Sequence, residues 1–228
     1  VHINSKMKNN CLLIILLTIT VSCNNKPNIS YSENRDNDST EESQQEILKR
    51  LLNAHFDPIE KQDSAFFDSV LYFFDSVVKN STGIIQTDSA YHIYMESLRY
   101  DSSYEDFMEK LGKDKPIVDS FITKTEEYPM FSRYFRKDYM VKNPERTDTV
   151  AYEYNPNHYS SYMNLLKEAI KIDSSYVEYA DLLWSFGSIP PSLVSGYNHY
   201  HTKLDFDNSV IRLITAIHYM CLISFTEL

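Results

Sequence analysis

SAFFDSVLYFFDSVVK, residues 64–79, is the stretch that decides the fold class. Within it Phe-Phe-Asp-Ser-Val occurs twice, at 66–70 and at 73–77. With about 100° of rotation per residue, the phenylalanines and valines share one side of a helix and the Asp and Ser side chains share the other. The stretch therefore predicts an amphipathic helix, with Asp63 as its N-cap, that packs onto its own domain. A coiled coil would need several more heptads.

Helical periodicity with start and stop signals recurs on both sides of this stretch. A capping-box pattern, Ser39-Thr-Glu-Glu42, marks the start of the folded body, and Gly112 and Gly187 mark helix ends. Clean two-residue alternation is scarce and Asn-Gly or Asp-Gly turns are absent, so strands are not expected. The sequence predicts one all-α domain over 40–228, of roughly eight to ten helices. An irregular array of helical-hairpin repeats is one possible arrangement of these helices. Besides the helix that follows the capping box and the helix at 64–79, helices are predicted at 88–100, 102–111, 116–127, 129–141, 156–172, 174–186 and 192–203, with irregular chain at 142–155.

The last predicted helix, from about residue 208, is apolar nearly all round. Arg212 and His218 lie within it, and its apolar length falls short of the ~20 residues that a membrane span needs. It is predicted to be a central core helix and not a second membrane anchor.

The N-terminal region has the order of an export signal. A short basic start, Met7-Lys8-Asn9-Asn10, precedes the 11-residue apolar run 11–21, which is too short to span a bilayer. Directly after it, Thr20-Val21-Ser22-Cys23 resembles the lipobox of bacterial lipoprotein precursors, although Val21 stands where a small residue is usual. The resemblance implies that a signal peptide, 1–22, is removed and that Cys23 is acylated. Residues 1–6 are interpreted as an upstream extension or a misplaced start.

The same resemblance implies a location for the mature protein. Two or more acyl chains on such a cysteine make a lasting attachment to the lipid bilayer. Asn24 follows Cys23 where lipoproteins retained at the inner membrane carry Asp, and no acidic cluster follows, so the outer membrane and its periplasmic face are expected rather than the cell surface. Residues 23–39 are polar and predict a lipidated, disordered tether with a reach of roughly 20–25 Å.

Charge and cysteine content exclude several classes of protein. After Cys23 the chain has 20 basic and 32 acidic residues, a net charge of −12, which disfavours nucleic acid as a partner. The densest basic run, 133–137, is followed at once by Asp138. Cys221 is the one cysteine of the folded body, so neither an intramolecular disulfide nor a cysteine-based metal site is expected there. No cofactor is predicted.

Two segments of similar sequence, here called the first and second echo segments, suggest internal repeats. Residues 96–104 and 168–176 align at an offset of 72, and 168–187 resembles a junction between tetratricopeptide repeats, with Ala169 and Leu183 at its small and leucine positions. Ser174 and Trp184 depart from that pattern, and no repeat lies near residue 137. Helix caps of similar composition are the alternative explanation. The resemblance implies a scaffold that binds proteins or peptides.

Sequence motifs give no catalytic or metal-binding residue. His199 and His201, with Asp205 and Asp207 behind them, are the one local cluster of metal-ligand types, but HExxH spacing is absent and a polar surface turn is the preferred interpretation. The chain contains neither a glycine-rich phosphate loop nor a GxSxG elbow.

Three functional hypotheses follow from the sequence. The leading one is a non-catalytic lipoprotein whose helical domain binds a protein partner in the cell envelope, and an immunity protein that neutralises an envelope-acting toxin is its specific form. The second is an envelope hydrolase that uses scattered carboxylates with His158, His199 or His201. The third is a small-ligand carrier with an aromatic-lined cavity, for which an aromatic content of 14% supplies material.

Overall fold

The helix predicted from the repeated Phe-Phe-Asp-Ser-Val motif is present in the computed structural model, which describes residues 43–99, 104–141 and 150–225. It runs from Asp63 to Thr82 and ends at Gly83, whose φ of 71° is a left-handed conformation that glycine adopts readily. Its apolar side is buried as the periodicity requires, through Phe66, Val70, Phe74, Val77 and Val78.

The described residues form ten helices, one 3₁₀ turn and a single two-stranded sheet, so the predicted all-α class is confirmed. The two strands are seven residues each. In chain order the elements are α1 (Gln44–Asn53), α2 (Asp63–Thr82), α3 (Thr87–Ser97), α4 (Tyr104–Gly112), α5 (Lys115–Thr125), α6 (Phe131–Tyr134), β1 (Phe135–Val141), β2 (Val150–Pro156), α7 (Ser161–Ile172), α8 (Tyr176–Phe186), α9 (Pro191–Tyr200), the 3₁₀ turn (His201–Lys203) and α10 (Ser209–Phe225).

Helix α10 is the centre of the core, as predicted. It packs against β2, α2, α5 and α7, and eleven of its residues are buried. Arg212 donates to the carbonyl oxygens of Phe206 at 2.7 Å and Asp207 at 3.1 Å, and the fully buried His218 lies 3.0 Å from the Tyr179 hydroxyl. Arg212 and His218 therefore each have a hydrogen-bond partner, although Nε2 of His218 has none among the described residues. Within the described ranges, we find no helix with the length and apolar character that crossing a membrane requires.

The prediction of a helix over 129–141 is wrong in its second half. The helix stops after the four residues of α6, and β1 follows, paired antiparallel with β2 in a register from Phe135 opposite Pro156 to Val141 opposite Val150. The irregular chain predicted at 142–155 likewise contains most of β2. Residues 152–155, Tyr-Glu-Tyr-Asn, do alternate between ring and polar side chains, which is the strand period. Pro156 ends β2, and α7 begins only at Ser161.

Asp63 is not the N-cap of α2. Gln62 holds that position without a capping side chain, and Asp63 is the first helical residue and fully buried. Its carboxylate accepts from the Glu60 amide at 2.9 Å, from the Tyr134 hydroxyl at 2.7 Å and from Arg133 at 3.3 Å. These donors satisfy a buried charge that would otherwise be costly, so Asp63 ties α2 to α6.

A capping box is present at the start of α1, where Ser43 and Glu46 exchange hydrogen bonds with each other's backbone amides at 2.9 and 3.3 Å. The capping box predicted at 39–42 lies outside the described residues. Arg50 fixes α1 on α8, because its guanidinium contacts Asp181 at 2.5 Å and lies over the Trp184 ring.

Candidate functional site

A cavity of about 650 Å³ lies between α4, β2, α9 and the C-terminal part of α10. Small-molecule sites in proteins usually enclose about 300–1,000 Å³, so the volume is that of a ligand site. Its lining residues are Phe107, Met108, Leu111, Glu153, Tyr154, Asn155, Ser188, Ile189, Ser192, Val194, Ser195, Cys221, Leu222 and Phe225.

The apolar wall of the cavity follows from helical spacing. Phe107 and Leu111 are four residues apart on α4, and Cys221 and Phe225 are four apart on α10, so each pair lies on one face of its helix. Val194 of α9 is buried in the same wall. Three helices thus converge on the volume with side chains that offer little hydrogen bonding.

The polar end of the cavity is formed by β2. Glu153 and Asn155 lie on one face of the hairpin together with Arg136 and Asp138, because Asp138 is opposite Glu153 and Arg136 is opposite Asn155. Two carboxylates directly opposite each other repel. The Asn155 amide lies between them and donates to Glu153 at 3.0 Å and to Asp138 at 2.9 Å.

Arg136 neutralises only one of these two carboxylates. Its guanidinium makes contacts of 2.6–3.0 Å with Asp138 and also donates to the Gly187 carbonyl at 2.7 Å. Partial burial opposes ionisation of Asp138, but the hydrogen bonds from Arg136 and Asn155 outweigh it and hold the pKa of this carboxyl below its ordinary value.

His158 lies behind this network and does not line the cavity. The side chain is buried, and Nη1 of Arg136 donates to its Nδ1 at 2.7 Å, so that nitrogen is an acceptor. Burial, reinforced by the charge of Arg136, lowers the pKa of His158 to about 4. Gly187 packs against the ring, where a Cβ would be 3.0 Å from Cε1. The arrangement positions β1 against the end of α8 and gives no support to His158 as a general base.

The structure separates the other two histidines considered for hydrolysis or metal binding. His199 is exposed on α9, whereas His201 is buried in the 3₁₀ turn. Nε2 of His201 lies 2.8 Å from Glu96, whose pKa this hydrogen bond lowers, and its Nδ1 lies 3.4 Å from Nδ1 of His92. In the part of the chain that the structure describes, no group of three or more His, Cys, Asp or Glu side chains could hold a metal ion.

Two other sequence predictions fall wholly or partly outside the described residues. Cys23, the signal peptide and the tether lie outside those residues, as does part of the first echo segment, 100–103. The second echo segment, 168–176, joins α7 to α8. Ala169 in this segment and Leu183 farther along α8 are both buried. Trp184 instead packs edge-on against Phe56, with 5.3 Å between ring centroids.

The sequence offers an aromatic-lined cavity as one hypothesis, but it identifies none of the residues that line the cavity. The alternation at 152–155 was the signal that would have placed Glu153 and Asn155 together on one strand face. No local pattern connects that strand to α4 or α10. Neither a family model, nor a curated protein, nor a solved structure matches this chain.

Proposed function

We propose that this chain is the precursor of a lipoprotein whose helical domain binds a small, largely apolar molecule. The cavity carries the proposal, because it combines a volume of about 650 Å³ with an apolar wall from three helices and polar groups at one end. Sites for small ligands typically have this composition, in which the apolar wall supplies affinity and a few polar groups supply orientation.

The proposal selects the carrier hypothesis over the two others. Exposed large apolar side chains such as Tyr72, Ile85 and Phe186 belong to separate parts of the chain, whereas the apolar side chains of the cavity converge on one volume. Among the described residues, no comparable feature supports binding of a protein partner or neutralisation of a toxin. For a hydrolase, His158 has the wrong surroundings, because its Nδ1 is occupied by an arginine donor.

The cellular setting remains the one that the sequence predicts. We propose that Cys23 anchors the protein to the outer membrane and that the domain faces the periplasm. A protein held at a lipid surface meets amphipathic molecules at high local concentration, which is consistent with an apolar binding site.

Binding of an environment-sensitive naphthylamine dye to the full chain tests this function. We expect saturable binding at one site per chain and at least about tenfold weaker binding by Val194→Phe, whose ring takes up space in the cavity and obstructs the apolar wall. Val210→Phe is the matched control, because Val210 is only partly buried on α10 and does not line the cavity. Unsaturable dye binding, or equal binding by both variants, would show that the cavity is not the site.

A further inference from the structure

We infer that the cavity accepts an alkyl chain with a cationic or neutral hydrogen-bond donor at its polar end, an alkyl amine being the best fit, and discriminates against carboxylates such as fatty acids. The inference rests on the proposed function and adds the chemical class of the ligand.

Glu153 sets the charge at the polar end. It is the one carboxylate among the described residues of the lining, and no Lys or Arg is among them. One of its oxygens, Oε1, accepts from Asn155 at 3.0 Å. For Oε2 the described residues supply no donor. A ligand that brings an N–H or O–H group to this oxygen would therefore satisfy an acceptor that the described residues leave available.

The charges of the described residues around the polar end do not cancel that of Glu153. Arg136, on the same face of the hairpin, is bound to Asp138 by contacts of 2.6–3.0 Å and directs its remaining hydrogen bonds to Gly187 and His158. Lys137, next in the strand, points to the other face and contacts Glu126 at 2.7 Å. Arg136, Asp138 and Glu153 together leave one net negative charge beside the cavity.

The neutral polar groups of the lining do not reverse this preference. Ser188, Ser192 and Ser195 can each donate or accept, so their hydroxyls suit an amine, an alcohol or a carboxylate. The charge of Glu153 is what distinguishes these head groups. In an environment of lower dielectric than water, it attracts an ammonium and repels a carboxylate more strongly than an exposed carboxylate would.

Displacement of the naphthylamine dye by decylamine, decanol and decanoic acid at pH 7 tests the inference, because the three share one chain length. We expect decylamine to bind at least about tenfold more tightly than decanoic acid, with decanol between them. In Glu153→Gln, decylamine should lose most of that advantage while decanol binds as before. Glu109→Gln is the control, since it removes one exposed negative charge of α4 away from the cavity.

The outcomes separate this inference from the proposed function. If the dye binds and all three ligands displace it equally, or decanoic acid binds best, the inference is wrong and the cavity remains a binding site. If Glu109→Gln weakens decylamine as much as Glu153→Gln does, the amine responds only to overall charge, and the inference is again wrong. If Glu153→Gln fails to fold, the order of the affinities of the three ligands for the wild-type protein still tests the inference. Failure of the dye to bind would contradict the proposed function itself.

Discussion

Arg136 holds three parts of the molecule together through one guanidinium group. It is bound to Asp138 on its own strand, to the carbonyl of Gly187 at the end of α8, and to His158 in the segment before α7. No other residue type offers five donors in a planar fork that could serve all three. The geometry of β1 relative to α8 therefore depends on this side chain.

Replacing Arg136 by Met should lower the free energy of unfolding by about 2–3 kcal/mol, because Asp138 loses its contacts with the guanidinium and keeps only Asn155 as a donor, and the Gly187 carbonyl loses its hydrogen bond in a partly buried place. Urea unfolding of the full chain followed by circular dichroism measures the change. Lys171→Met is the control, because its pair with Glu168 at 2.7 Å is exposed and should contribute at most about 1 kcal/mol. Equal stabilities for the two variants would contradict the role of Arg136.

The buried histidines make stability depend on pH. Burial lowers the pKa of His218 to about 3, and burial together with the charge of Arg136 lowers that of His158 to about 4. As the pH falls below about 6.5, the unfolded chain takes up protons on these residues and the folded chain does not. The stability contributed by their neutral forms is therefore complete above pH 6.5 and is lost as the pH falls toward 4.

The free energy of unfolding should accordingly decrease between pH 6.5 and pH 4, with a slope of about 1.4 kcal/mol per pH unit from each histidine. Urea midpoints at several pH values measure the slope. His158→Gln should flatten it, whereas His199→Gln should not, because His199 is exposed. A slope that is unchanged in His158→Gln would mean that this residue titrates normally in the folded protein.

Helix α10 is the central element of the core and packs against α2, α4, α5, α7 and β2. Ile217 is fully buried in it, and the neighbouring positions 213–221 are buried as well. Ile217→Asp should abolish folding, since an aspartate there has no partner and the loss exceeds about 4 kcal/mol. Circular dichroism of the full chain tests this, with Ser209→Asp as a tolerated control at the exposed first residue of the helix. A folded Ile217→Asp protein would show that α10 is not core.

Individual elements differ in how far the sequence determines them. The α2 prediction succeeded because the motif recurs after seven residues, close to two helical turns, so the helical period appears twice in the sequence. The hairpin was missed because β1 is stabilised by a partner that begins nine residues after its end, and its own sequence, Phe135-Arg-Lys-Asp, carries no clear period. Asp63 was misassigned because its donors, Tyr134 and Arg133, lie about seventy residues away. Local patterns predict helices here, and contacts between distant residues decide the exceptions.

At the scale of the whole molecule, the candidate site was largely hidden from sequence reasoning. The walls of the cavity come from residues as far apart as Phe107 and Phe225. Each wall residue has an ordinary reason to be apolar within its own helix, so no residue type or spacing reveals a cavity. Glu153 is equally ordinary until the register of the hairpin places it beside Asn155 and opposite Asp138, the carboxylate that Arg136 already binds.

The same scale includes the anchoring of the chain, for which Cys23 is the predicted attachment point. Labelling of expressing cells with an alkyne fatty acid should mark the wild-type protein and not Cys23→Ala. Cys11→Ala is the matched control, because Cys11 belongs to the predicted signal peptide and its loss should leave the label in place. Labelling of Cys23→Ala at the wild-type level would rule out acylation at this residue.

The alkylation rate of Cys221 reports on access to the cavity. Its sulfur is the one free thiol of the described residues, it forms part of the cavity wall, and burial raises its pKa well above the ordinary value. Alkylation by a neutral reagent must then wait until the reagent has entered the cavity and the thiol has ionised. The rate of modification then reports the fraction of chains in which the cavity is open to the reagent, and a ligand that occupies the cavity should slow the reaction in proportion to the fraction of chains that it fills.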